Sequence, residues 1–202
     1  MGMCLALCTL SDENIQKVLK HPPLIWKVIA PDDPEVYAEA SREESDGFFT
    51  KLFGLKRQLQ TEEVPHLEFA EDEVSDTDLD KAWHGIHYLL TQSAWERDGP
   101  LAFLVSGGSQ VGELDVGYGP ARALTSEQVR AVDEALQPVD EGFLKGRFKP
   151  GEMMDLEIYP EIWDPDPHAD DAFRYCAEYF AELKSFVARA AQRKLGVVLY
   201  LS

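Results

Sequence analysis

Large apolar residues recur at helical spacing in two long stretches of this chain. From Asp170 to Lys194 they return every three or four positions, which predicts one long amphipathic helix, and Gly196 is a suitable residue to end it. The stretch from Asp78 to Leu90 shows the same spacing and predicts a second helix, with Thr77 as its N-cap. Its large apolar residues share one face and predict a helix that crosses the core: Leu79, Trp83, Ile86, Leu89 and Leu90.

Two short apolar runs, one at each end of the chain, predict strands. Residues 1–10 and 197–201 are apolar and bounded by turn signals, and we expect them to lie side by side. Between them, an N-cap at Ser11 and the capping box Thr125-Ser-Glu-Gln128 begin further helices. The sequence therefore predicts an α+β fold, with one domain over residues 1–202. The domain is expected to be mostly helical, with a small mixed or antiparallel sheet that includes the N- and C-terminal strands.

An acidic, loop-like insert interrupts this pattern at about residues 60–77. Nine acids and no Lys or Arg lie between Thr61 and Asp80, and we predict at most a brief strand there, at His66 to Phe69. A loop of this length is uncommon unless it has a role of its own or is disordered. The carboxylates that we predict to form a partner-binding acidic surface are Glu62, Glu63, Glu71, Asp72, Glu73 and Asp76.

The segment from Gly47 to Leu55 carries three Phe and two Leu between two acidic stretches. So much apolar surface predicts a helix or hairpin that is packed on the core. The alternative is a flap over a pocket, because the flanking stretches have the composition of loops. Before this segment, a short helix is expected to begin at Pro34 and to run through Ala40.

The formal charge of −18, from 37 acids against 19 bases, restricts the partners of this chain. Such a surface repels nucleic acid and anionic lipid, and it attracts a basic protein. No apolar run approaches the ~20 residues of a membrane-spanning helix, and no basic residue precedes the apolar N-terminus as in a secretion signal. Cys4 and Cys8, four residues apart in a predicted strand, are separated by roughly 13 Å, too far for a disulfide. We therefore expect a cytoplasmic protein without a membrane or nucleic-acid partner.

Four motifs are spaced over nearly the whole chain. They are Met1-Gly2-Met3 before a strand, KAWHGIHYLLT at residues 81–91, GYGPAR at residues 117–122, and Ile158-Tyr159-Pro160 with Trp163. In their order and spacing they resemble the YfbM-like family of bacterial proteins, a domain of unknown function. The resemblance implies a single α+β domain in the bacterial cytoplasm, and it supplies neither a reaction nor a catalytic residue.

His84 and His87 form the only close histidine pair in the sequence, three residues apart on the second helix. A zinc-protease helix needs histidines at i and i+4 with a glutamate between them, and no further Cys or His stands at ligand spacing. We therefore predict no metal site and interpret the pair as hydrogen-bonded residues at the edge of the core. Gly85, between them, predicts the close approach of another element, such as the long C-terminal helix.

A polar cluster is expected from two motifs that are distant in sequence. Tyr118 and Arg122 belong to a glycine-containing stretch that lacks the GxGxxG spacing of a dinucleotide loop, so no cofactor is predicted. Glu157 and Tyr159 flank Ile158, which places their side chains on one face of an extended backbone. We expect Arg122 to form a structural ion pair with Glu157 or with an acid of the insert; a cradle for an anion is the alternative.

Two classes of function remain open, and a purely structural role is a third alternative. The first is a non-enzymatic interaction module whose acidic surface binds a basic partner protein. An immunity-type role, in which this surface covers the basic active site of a toxin, fits the charge. The second is a small-molecule binder or enzyme that uses a Tyr/Arg/Glu cleft with a histidine as the acid–base group. The candidate cleft residues are Tyr118, Arg122, Glu157, Tyr159, His84 and His87.

Overall fold

Five strands form one sheet within residues 2–51, 65–95, 97–163 and 169–202, which are the residues that the computed structural model describes. The strand order is β2-β1-β5-β4-β3, and every neighbouring pair is antiparallel. Of the two sheet types that the sequence left open, the antiparallel one is therefore present. The strands are β1 (Leu5–Leu10), β2 (Asp76–Asp78), β3 (Ser109–Asp115), β4 (Pro120–Leu124) and β5 (Gly196–Leu201).

Nine α-helices occur in the same described residues, and together with the sheet they give the predicted α+β fold. Two 3₁₀ turns, Pro22–Ile25 and Pro100–Ala102, lead directly into the second and fifth helices. None of the described helices has the length and apolar content that crossing a membrane requires. The helices are α1 (Asp12–Lys20), α2 (Trp26–Ile29), α3 (Pro34–Lys51), α4 (Trp83–Thr91), α5 (Phe103–Ser106), α6 (Ser126–Leu136), α7 (Glu141–Arg147), α8 (Pro150–Asp155) and α9 (Ala169–Gln192).

The first and last strands of the chain are neighbours in the middle of the sheet. Strand β1 pairs with β5 over its full length, from Leu5 opposite Leu201 to Leu10 opposite Gly196. Two hydrogen bonds between the main chains of Cys4 and Ser202 extend the ladder by one position. The side-by-side placement that the sequence predicted for the two terminal strands is confirmed.

Successive residues of β1 alternate between two hydrophobic cores, one on each face of the sheet. Leu5 and Leu7 belong to the larger core, whereas Cys8 and Leu10 belong to the smaller one. This alternation follows from the two-residue period of a strand. Helices α4, α6 and α9 contribute to the larger core, and α1 packs with the 3₁₀ turn that follows it in the smaller one.

Helix α4 is enclosed along its whole length. Every residue from Trp83 to Thr91 is buried, so the apolar face that the sequence predicted is present and the polar side chains are buried with it. The predicted N-cap is wrong. Thr77 lies in β2 opposite Leu7, because the chain adds an edge strand to the sheet before the helix begins; Ala82 precedes α4 and makes no side-chain cap.

Helix α9 confirms the longest predicted element, but its C-terminal glycine has another role. The helix ends at Gln192, and Lys194, with φ of 56°, takes the left-handed position that we had expected for Gly196. Gly196 instead opens β5, where a Cβ atom would overlap the carbonyl oxygen of Leu124 and the side chain of Ile15. Glycine is needed there for close packing of the strand.

The insert and the segment before it differ from the sequence-based expectation. No strand forms at His66 to Phe69, and the short strand β2 lies at the end of the insert instead. Helix α3 begins at Pro34 as predicted but continues past Ala40, and it includes residues 47–51 of the predicted apolar segment. Residues 52–64, which hold the remainder of that segment, lie outside the described residues.

Candidate functional site

Arg122 of β4 caps a helix end and forms no ion pair with any described carboxylate. Its guanidinium donates hydrogen bonds to the carbonyl oxygens of Phe103 at 3.1 Å, Leu104 at 2.6 Å and Gly107. These carbonyls belong to α5 and to the residue after it, where a helix leaves acceptors without partners. The expected ion pair with Glu157 or with a described acid of the insert is therefore wrong, because no described carboxylate lies within ion-pair distance of Arg122. Glu62 and Glu63 of the insert lie outside the described residues.

Tyr118 and Arg122 meet at a cleft of about 230 Å³, here called the aromatic cleft. Trp95 and Tyr118 are 57% and 47% exposed at its rim. Trp83 of α4 is buried and forms part of the cleft wall. The turn carrying Tyr118 is fixed by Asp115, whose carboxylate accepts hydrogen bonds from the main-chain N–H groups of Gly117 and Gly119, each at 2.9 Å.

A second, open cleft of about 1010 Å³ adjoins the first and is here called the polar cleft. Arg122 lines both clefts, so its guanidinium lies where an aromatic surface meets a polar one. The main-chain N–H of Arg97 donates to the Ser106 hydroxyl at 3.1 Å, which ties the loop after α4 to α5. The polar side chains that line this cleft belong to Arg97, Asp98, Ser106, Gln110 and Arg122.

Both ring nitrogens of His84 are occupied by main-chain partners. The N–H of Tyr159 donates to Nδ1 at 3.0 Å, so Nε2 carries the ring proton and donates to the carbonyl oxygen of Ala94. Burial lowers the pKa of His84 below its ordinary value, and the hydrogen bond to the carbonyl oxygen of Ala94 offsets only part of this effect. His84 is therefore a neutral, structural residue at neutral pH.

His87 is also neutral, but one of its ring nitrogens has no partner. Nε2 lies 2.9 Å from the carbonyl oxygen of Trp95, to which it donates, while the buried Nδ1 makes no hydrogen bond with any described residue. Burial lowers the pKa of His87 to about 4, and the charge of Arg122 acts in the same direction. Within the described residues, no group of three His, Cys, Asp or Glu side chains is arranged to hold a metal ion.

Contrary to the prediction, the side chains of Glu157 and Tyr159 do not share a face. Glu157 has φ of 52°, so the backbone is not extended there, and its side chain is exposed away from both clefts. The ring of Tyr159 stacks on Trp83 with centroids 6.1 Å apart, and its hydroxyl accepts from the N–H of Met3 at 2.9 Å. Of the six candidate residues, only Tyr118 and Arg122 therefore line the aromatic cleft. His84, His87, Glu157 and Tyr159 do not line it.

The described part of the predicted acidic surface belongs to residues 65–78, here called the acidic loop. Glu71, Asp72 and Asp76 are exposed, as an interaction surface requires. Glu73 is only 4% exposed and is unavailable to a partner. Glu62 and Glu63 lie outside the described residues.

Glu73 instead anchors the acidic loop to the start of α1. Its carboxylate accepts hydrogen bonds from the N–H of Ser11 at 2.9 Å, the side-chain amide of Asn14 at 2.8 Å and the N–H of Ala70 at 3.0 Å. Burial raises the pKa of Glu73, but these hydrogen bonds outweigh burial and hold the pKa below its ordinary value. The charged carboxylate is therefore a fixed part of the fold.

Three exposed apolar residues near these surfaces were not among the predicted site residues. Trp95 lies on the rim of the aromatic cleft, and Phe69 and Val74, 45% and 40% exposed, lie in the acidic loop. Val74 and Trp95 have no other large apolar residue within three positions, whereas Phe69 lies two positions after Leu67. For Val74 and Trp95, a large apolar residue isolated in a polar stretch was the available signal.

The fold is similar to that of a solved structure from Escherichia coli, described as that of YfbM, a protein of unknown function. The two match over 98% of this chain and 99% of that chain, with a TM-score of 0.63 and 15% sequence identity. At this identity the likeness shows a shared fold. A comparison with curated proteins finds no match.

The sequence itself matches a family over almost its whole length. Residues 1–200 match DUF1877, a domain of unknown function. This match and the structural likeness to YfbM confirm the resemblance that the four motifs indicated. The chain therefore belongs to the DUF1877 family.

Proposed function

We propose that this protein is a binding module whose acidic loop, residues 65–78, docks on a basic partner protein. The observation that carries the proposal is an exposed surface that combines like charge with apolar residues. Phe69 and Val74 are exposed there among carboxylates and could bury apolar area in a partner. The exposed carboxylates that surround them are Glu68, Glu71, Asp72, Asp76 and Asp78.

The attachment of the acidic loop also supports a binding role. Glu73 ties the loop to α1, the hydroxyl of Thr9 donates to the carbonyl oxygen of Glu73 at 2.7 Å, and Arg193 donates to the carbonyl oxygen of Asp72. A loop that is already ordered loses less conformational entropy when a partner binds. Its charge would also steer a basic protein towards it at moderate salt.

The alternative, an enzyme using the predicted Tyr/Arg/Glu cleft, has less support. His84, Tyr159 and Arg122 are engaged by main-chain groups, and Glu157 lies apart from both clefts. No described acid–base pair faces the aromatic cleft. We therefore favour an interaction module, and an immunity-type role against a basic toxin is one form of it. The three free cysteines fit the reducing bacterial cytoplasm in which we place the protein.

The test is affinity capture from host lysate with the wild-type protein and with a charge-reversed acidic loop, Glu68→Lys, Glu71→Lys and Asp76→Lys. We expect the wild type to retain at least one basic protein at about 0.1 M salt and to release it near 1 M, where the Debye length falls to roughly 3 Å. The variant should retain none of it at either concentration.

A control with the same change in net charge separates the surface from the total charge. Asp155→Lys, Glu157→Lys and Glu161→Lys reverse three exposed carboxylates at the end of α8 and beyond, where the acidic loop is not involved. This control should capture the same protein as the wild type. If every captured protein is lost equally from both variants, or is retained by both, the acidic loop is not the binding surface.

A further inference from the structure

We propose that the aromatic cleft binds a small aromatic carboxylate, with the ring between Trp95 and Tyr118 and the carboxylate on Arg122. This site is independent of the acidic loop and of the partner proposed for it. The size of the cleft limits the ligand: about 230 Å³ is less than the roughly 300–1,000 Å³ of sites for drug-sized molecules. A single ring with one acidic group suits that volume.

The positive charge of Arg122 in the wall of the cleft favours an anion. Arg122 donates two hydrogen bonds from Nη1 and one from Nη2, which leaves Nε–H and one Nη2–H for a ligand. Carbonyl oxygens orient the guanidinium but carry no formal charge, and no described carboxylate neutralises it. In a chain with a net charge of −18, an arginine that has no carboxylate partner among the described residues is a selective point for a carboxylate ligand.

The rim of the cleft favours a planar ring. Trp95 and Tyr118 are about half exposed, and the faces of their rings are largely apolar. A ligand that covers these faces would bury apolar surface. The position of Trp95 is fixed from behind: its ring lies 4.6 Å from that of His84, and its carbonyl oxygen accepts from His87. Tyr118 is held by the bond from its N–H to the carbonyl oxygen of Leu201 at 3.1 Å. Both aromatic side chains are therefore presented by a rigid backbone.

The experiment is a titration followed by the indole N–H signals in ¹H–¹⁵N NMR spectra, with benzoate, benzamide and acetate as probes. Benzoate should shift the signals of Trp83 and Trp95 and leave that of Trp26, on the smaller core, unchanged. Benzamide, which has the same shape without the charge, should bind at least about tenfold more weakly, since one charge-assisted hydrogen bond is worth that factor or more. Acetate should produce no shift at the same concentrations.

Variants of Tyr118 and Arg122 separate the contribution of the aromatic ring to binding from that of the positive charge. Tyr118→Ala, which removes no side-chain hydrogen bond to a described residue, should weaken the binding of benzoate and benzamide alike. Arg122→Gln should abolish the preference for benzoate, and Arg122→Lys should keep part of it. Because Arg122 also caps α5, loss of folding in Arg122→Gln would leave Tyr118→Ala and the wild-type preference as the deciding measurements.

Phe69→Ala is the matched control, because it removes an exposed aromatic ring of the acidic loop and should leave all three titrations unchanged. The same variant should weaken capture of the basic partner, whereas Tyr118→Ala should not, so the two proposals fail separately. The proposal is overturned if benzoate leaves the Trp83 and Trp95 signals in place, or if the wild type binds benzoate and benzamide equally.

Discussion

The indole of Trp163 lies directly against the α-carbon of Gly85. A Cβ atom at Gly85 would stand 2.5 Å from Cη2 of that ring and 2.7 Å from Sγ of Cys176 on α9. The sequence predicted that another element, such as the long C-terminal helix, approaches Gly85. Cys176 confirms this, and Trp163 is a second neighbour that the helical pattern did not indicate.

Gly85→Ala should therefore destabilise the protein. The added methyl group overlaps a rigid, buried ring, at a cost of up to about 3 kcal/mol, which exceeds the roughly 1 kcal/mol that alanine gains over glycine in a helix. Gly146→Ala is the control, because nothing lies within 4 Å of a Cβ at that helical position. Urea unfolding should show a loss for Gly85→Ala and a neutral or positive change for Gly146→Ala. Equal effects would contradict the close packing.

Glu73→Gln should destabilise the fold by about 2 kcal/mol, since it removes a charged acceptor from three donors and leaves at least one of them without a partner. Glu71→Gln makes the same substitution at an exposed residue, and its free energy of unfolding should stay within about 0.5 kcal/mol of the wild-type value. Chemical denaturation measures both. A neutral Glu73→Gln variant would show that the carboxylate does not anchor the acidic loop.

Acidification from pH 7.5 to 5 should reduce stability because of His87. Its pKa is about 6.5 in an unfolded chain and about 4 in the fold. The unfolded state therefore takes up a proton first, so the contribution of neutral His87 is complete above pH 6.5 and is lost as the pH falls towards 4. At pH 5 the loss is about 2 kcal/mol.

His87→Gln is the variant that isolates this effect, because its amide can still donate to the carbonyl oxygen of Trp95 but does not titrate. Its stability should depend less on pH over the same interval, as followed by urea unfolding at the two pH values. Glu73 does not interfere, since a carboxylate with a lowered pKa loses its contribution only below about pH 4.5. Identical pH slopes in the two proteins would refute the assignment.

Thr125→Ala should cost about 1 kcal/mol, whereas Thr125→Ser should cost little. The Thr125 side chain accepts from the N–H of Gln128, and the Gln128 side chain accepts in return from the N–H of Thr125 at 2.9 Å. Serine keeps the oxygen of this capping box and alanine removes it. Thermal unfolding of the two variants provides the comparison, and a matched loss in both would assign the effect to the methyl group instead.

Elements that depend on neighbours in sequence were predicted well. The capping box at Thr125 and the apolar spacing of α4 and α9 need only residues a few positions apart, and the family resemblance rests on contiguous motifs. The pairing of β1 with β5 is an exception, because it joins residues from the two ends of the chain. It could be predicted because each run is apolar and the sequence offered few other strands with which it could pair.

The site was harder to predict because its contacts join distant residues. Arg122 bonds to carbonyl oxygens fifteen to nineteen positions earlier, and main-chain acceptors carry no signature in a sequence. Nothing in the sequence distinguishes Glu73 from Glu71, because the burial of Glu73 and its hydrogen bonds to Ser11 and Asn14 appear only in the fold. The left-handed backbone at Glu157 is likewise invisible from residue types, since glutamate rarely adopts it.

The central position of β5 has a consequence for how the chain acquires its fold. Strand β5 lies between β1 and β4 in the sheet. About 185 residues must therefore be synthesised after β1 before it can pair with β5. Until then the edge of β1 that pairs with β5 has no partner, because the three-residue strand β2 lies along the opposite edge. So large a separation between paired strands favours slow folding, in which the nascent chain is exposed to aggregation and to chaperones until β5 has been synthesised.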